Sequence, residues 1–122
     1  MRIFLDANVL FSACLRDRSR QYAFFALARA GHGRLITSAY ALDEPRRNLA
    51  QKATSRVVVL DVLTRLIELS AAPPGDAVSR MTQYGLPAKD APILAAAIVA
   101  RADILVTGDR RHFGPLFGRE IE

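Results

Sequence analysis

The sequence predicts an α/β fold, a three-layer α/β/α sandwich around a mainly parallel sheet. Three observations lead to it. Short apolar runs are continuous rather than alternating, as in strands covered on both faces. Stretches with helical spacing separate them. Acidic residues close two of the runs, Asp6 after Arg2-Ile3-Phe4-Leu5 and Asp109 after Ile104-Leu105-Val106-Thr107-Gly108. In a parallel sheet those two ends share one edge, the edge where open α/β folds bind ligands.

The elements follow in order. Arg2 to Leu5 reads as the first strand, and Val9 to Leu15 as a short helix or an apolar loop. Ser19 is positioned as the N-cap of a helix from about Arg20 to Ala30, with Gly31-His32-Gly33 as its stop. Arg34 to Thr37 is the second strand. Ser38 caps a helix running toward Lys52, expected to be interrupted near Pro45, because an interior proline removes a backbone donor and costs about 3 kcal/mol. Ser55 opens a further helix, with Val59, Leu63, Leu66 and Ile67 on its apolar side and an Asp61–Arg65 surface pair. After the loop Ala72-Pro73-Pro74-Gly75, Asp76 caps a short helix to about Tyr84, ended by Gly85 and Pro87. Lys89-Asp90-Ala91-Pro92 starts a helix reaching Ala100 or Arg101, with Pro92 in its first turn. Ile104 to Thr107 is the third strand. Arg110 to Gly118 reads as irregular, and Ile121 as the start of a truncated fourth strand.

Composition sets limits on function. The 122 residues suit one domain, 1–122, and 51% hydrophobic residues suffice for a core. No apolar stretch approaches the roughly 20 residues that span a bilayer. An acid at position 6 comes too early for a signal peptide. The lone Cys14 excludes an intrachain disulfide and a thiolate metal cluster. A cytoplasmic protein is expected. The net charge of +5 suits a polyanionic partner, with cations holding phosphates while carboxylates hold metal.

Asp6, Glu44, Asp90 and Asp109 are the candidate catalytic and metal-binding residues. Gathered together, they would repel one another unless a cation sat among them, and carboxylate oxygens suit Mg²⁺ or Mn²⁺. Asn8 is expected to orient Asp6 or a bound water, and Thr107 to hydrogen-bond a carboxylate. Asp90 equally suits the cap of the following helix, Glu44 a solvated helix surface, and Asp6 and Asp109 turns. Asp103 begins a strand and belongs on the opposite edge from Asp109.

With these residues in place, the chain resembles the PIN-domain family of metal-dependent ribonucleases, especially the small bacterial VapC-like toxins of toxin–antitoxin pairs. The matching pieces are Phe4-Leu5-Asp6-Ala7-Asn8-Val9-Leu10, Ile36-Thr37-Ser38 followed by Glu44, and Lys89-Asp90-Ala91-Pro92-Ile93-Leu94-Ala95-Ala96-Ala97 running into Ala102-Asp103-Ile104-Leu105-Val106-Thr107-Gly108-Asp109. Arg110-Arg111-His112-Phe113 also looks like the segment after the last acid in such toxins. The resemblance implies an acidic quartet of Asp6, Glu44, Asp90 and Asp109, an RNA substrate, a cognate antitoxin protein and a homodimer. Pro45 departs from the pattern and bears on where Glu44 points.

The reaction so implied is endoribonucleolytic hydrolysis of RNA phosphodiesters by metal-activated water, with one or two ions. Arg16, Arg18, Arg20, Arg46, Arg47, Arg110 and Arg111 are candidates for phosphate contacts. The alternative is a catalytically weak or inactive PIN-like module that binds RNA or protein and regulates. A phosphohydrolase of small esters ranks last, since Asp6-Ala7-Asn8 lacks a second aspartate two residues on.

Overall fold

The computed structural model describes residues 1–15, 22–83 and 85–107. Its elements are β1 (Arg2–Leu5), α1 (Ala7–Leu15), α2 (Tyr22–Arg29), β2 (Arg34–Ser38), α3 (Ala39–Lys52), α4 (Val57–Thr64), β3 (Ile67–Ser70), α5 (Gly75–Thr82), α6 (Ala91–Val99) and β4 (Ile104–Val106), with a short 3₁₀ turn over Thr54–Arg56 before α4. The strands form one sheet in the order β3-β2-β1-β4, every neighbouring pair parallel. Arg2 pairs with Arg34, and Phe4 pairs with Ile36 on one side and Leu105 on the other.

Strand side chains alternate between two faces, and each face has its own core. Phe4, Ile36 and Leu105 pack with Met81, Ile93, Leu94 and the alanines of α6. Ile3, Leu5, Leu35 and Ile67 pack with Val9, Leu10, Phe25, Leu49, Leu60 and Leu63 from α1 to α4. Helix layers on both faces give the expected three-layer sandwich. They also explain why the inner strand β1 is a continuous apolar run from Ile3 to Leu5.

Three expectations need correction. The helix opened by Ser38 is not interrupted: α3 runs unbroken from Ala39 to Lys52 with Pro45 inside it. Pro45 lies on the buried face with Leu42 and Leu49, so packing of that face offsets the lost backbone bond. The helix after Ser55 does not extend to Ile67. It ends at Thr64 in a tight turn, Arg65 and Leu66 donating to the carbonyls of Val62 and Leu63, and Ile67 opens a strand the sequence reading missed. Asp61 does not pair with Arg65. It takes Arg46 of α3 at 2.8 Å.

Smaller points follow. The Val9–Leu15 segment is helical from Ala7. Asp76 sits in the first turn of α5, while Pro74 holds the N-cap position. Gly31 and Gly85 both take left-handed backbone where glycine stops were expected (φ 79° and 84°). The readings at Ser19, Arg110 to Gly118 and Ile121 lie outside the described residues.

Candidate active site at the carboxyl edge of the sheet

Asp6 is the first residue beyond β1. Its backbone N–H donates to Val106 of β4 at 3.0 Å, and its carbonyl accepts from Val9 and Leu10, so it joins strand end to helix start. The side chain is only 4% exposed. One carboxylate oxygen, Oδ1, accepts from the Ala7 N–H at 2.6 Å, and Oδ2 accepts the Thr107 hydroxyl at 2.7 Å. Both bonds fix the carboxylate between β1 and β4. Thr37, fully buried at the end of β2, donates its hydroxyl to the Leu5 carbonyl at 2.9 Å and holds the adjoining strand end in place. Asn8 is exposed in the first turn of α1.

Asp90 reaches the same edge from the other direction. After α6 the chain turns at the amino edge, where Asp103 donates its N–H to the Arg2 carbonyl and accepts the Arg2 N–H on Oδ2 at 2.7 Å. Asp103 is thus on the opposite edge, as expected. Helix α6 has nine residues, about 13 Å of rise, and packs along β2 and α3. Its start therefore lies toward the carboxyl edge. Asp90 holds the N-cap position, yet its side chain makes no capping bond, and it is 7% exposed. The capping interpretation of this acid does not describe its side chain.

Glu44 is exposed on α3. It lies one turn after Tyr40, on the same face. Tyr40 ties the neighbourhood together: its hydroxyl donates to the Lys89 carbonyl at 2.8 Å, bridging α3 to the turn before Asp90. Burial first, then the nearby Asp90 and Glu44 charges, push that hydroxyl above the ordinary tyrosine range. Asp90 and Glu44 thus both lie close enough to Tyr40 to act on its hydroxyl. Asp43, its neighbour in sequence, points elsewhere and pairs with Arg47 at 2.9 Å. Sequence reasoning missed Tyr40. Its spacing of four from Glu44, just after the Ser38 cap, was the available signal.

Carboxylate oxygens held at a strand end are the kind of donor that Mg²⁺ or Mn²⁺ takes. Among the described residues no three acidic, histidine or cysteine side chains converge closely enough to hold an ion. Asp109 lies outside the described residues, as do Arg16, Arg18, Arg20, Arg110 and Arg111. Of the remaining candidate phosphate contacts, Arg46 and Arg47 are engaged with Asp61 and Asp43.

The comparisons with known proteins agree with this architecture. The family model described as PIN domain matches residues 2–111. Among solved structures, the chain is similar to VapBC2 from Rickettsia felis, bound to a DNA fragment from their promoter, with a TM-score of 0.73 at 20% identity, covering 99% of this chain and 96% of that one. It is similar to VapC20 of Mycobacterium tuberculosis, a sarcin-ricin loop cleaving toxin, with a TM-score of 0.67 at 12% identity over 93% and 94%. PAE2754 from Pyrobaculum aerophilum gives 0.70 at 21% identity over 93% and 84%. No curated protein matches.

Proposed function

From the fact that the chain belongs to the PIN-domain family, we propose that it is a metal-dependent endoribonuclease, the toxin of a toxin–antitoxin pair. The observation carrying this reading is the buried Asp6 carboxylate at the carboxyl edge, oriented by Thr107 from the neighbouring strand. A fold neighbour that cleaves the sarcin-ricin loop supports RNA as the substrate. A neighbour named as the VapBC2 pair supports a cognate antitoxin. A homodimer and a single domain over 1–122 complete the proposal. Among the described residues no helix is long and apolar enough to cross a membrane.

Asp6, Asp90 and Asp109 would hold Mg²⁺ or Mn²⁺ directly, with Glu44 as a further ligand or as an acceptor for a proton from water. When bound, the metal supplies charge neutralisation at the phosphoryl oxygens and a lowered pKa for water. The chain's own residues do the positioning. Thr107 and the Ala7 N–H fix the two oxygens of Asp6. Thr37 fixes the end of β1. Asn8, at the start of α1, would orient Asp6 or a water.

A break at Pro45 would favour the inactive-module alternative, and α3 has no such break. The test is cleavage of single-stranded RNA with and without Mg²⁺. Asp6→Asn and Asp109→Asn should each abolish Mg²⁺-dependent cleavage while the fold persists. Full activity in either purified variant rejects the assignment.

A further inference from the structure

Tyr40 is not needed to hold a metal, yet it stands at the rim of the site. It is an exposed aromatic side chain, at 48%. Its outer end is already fixed, the hydroxyl being held by the Lys89 carbonyl at 2.8 Å. The ring is therefore pinned at both ends, by α3 and by the turn before Asp90, with its remaining surface open to solvent. A pinned ring loses little conformational freedom when a ligand covers it. Exposed Lys89 adds a cation alongside.

An immobilised aromatic surface beside a cation is the arrangement that single-stranded nucleic acids use: a base stacks on the ring and the adjoining phosphate meets the positive charge. We propose that Tyr40 is a substrate-binding residue, a stacking platform for one unpaired nucleobase of the RNA next to the phosphodiester held at Asp6 and Asp90. This rests on the ribonuclease reading and deepens it. Stacking tolerates any base, so the platform selects for an unpaired nucleotide rather than for a sequence.

Two measurements test it. In cleavage of a single-stranded oligoribonucleotide, Tyr40→Leu should raise KM roughly tenfold with kcat much less affected, and the conservative Tyr40→Phe should recover the wild-type KM. An unchanged KM in Tyr40→Leu overturns the proposal. Equal loss in Tyr40→Leu and Tyr40→Phe also overturns it, because the hydroxyl clamp would then be the whole role. The second measurement needs no catalysis. The chain contains no tryptophan, so Tyr40→Trp combined with Asp6→Asn carries a single indole. Its fluorescence should be quenched saturably by a single-stranded oligoribonucleotide and not by an abasic strand of equal length. Equal quenching by both strands, or none by either, contradicts stacking. If the wild type cleaves no RNA while this quenching persists, the ribonuclease reading fails and the platform stands.

Discussion

The Thr107 hydroxyl and the Asp6 carboxylate meet at 2.7 Å across 101 positions of sequence. One residue follows β4 and the other follows β1, and the parallel register that pairs Leu5 with Val106 places them side by side. The bond is charge-assisted and leaves Asp6 little freedom to rotate. Its consequence is an oriented carboxylate at the carboxyl edge of the sheet.

Thr107→Val keeps the shape and removes the donor. It should raise the Mg²⁺ concentration needed for half-maximal cleavage by about tenfold, a size typical of residues that orient metal ligands. Thermal unfolding should shift only slightly, about 1 kcal/mol for one hydrogen bond. An unchanged Mg²⁺ requirement would remove Thr107 from any positioning role.

Pro45→Ala restores a backbone donor inside an unbroken helix. Proline costs about 3 kcal/mol relative to alanine in a helix interior. Part of that gain is lost with the buried ring and with the stiffer unfolded chain that proline provides. A net stabilisation of about 1 kcal/mol is expected in urea denaturation. Net destabilisation would mean that ring packing at Pro45 outweighs the missing bond.

Cys14 offers a pH test. It is fully buried at the end of α1, and burial pushes its thiol from 9.0 up to about 11. The folded protein thus holds this proton more tightly than the unfolded chain does. Stability from this source is complete below pH 9 and declines as pH rises toward 11. Alkylation of the native protein at pH 8 should be slow and should accelerate on adding denaturant. Fast native alkylation would contradict the burial.

Much of this was legible in the sequence because the informative signals are local. The runs at Ile3, Leu35 and Leu105 read as two-sided strands since both faces are covered. Ser38 announced its helix, and its hydroxyl accepts the Ala41 N–H at 3.1 Å. What failed was set by tertiary context. Ile67 continues the helical spacing of Leu63, and no glycine marks the end at Thr64, so β3 was hidden. The Asp61–Arg46 pair crosses from α4 to α3, which no spacing rule anticipates. Pro45 obeys local rules for a break, yet it sits on the face that packs with Leu42 and Leu49. For Asp90 the sequence left cap and ligand open; the residue holds the N-cap position, but its side chain makes no capping bond there.

Mn²⁺ titration by calorimetry tests most directly whether Asp6 and Asp90 form one cation site. Saturable binding is expected in the wild type, with Asp6→Asn and Asp90→Asn each losing it while their circular dichroism stays native. Undiminished Mn²⁺ affinity in both folded variants would contradict a shared site at the carboxyl edge.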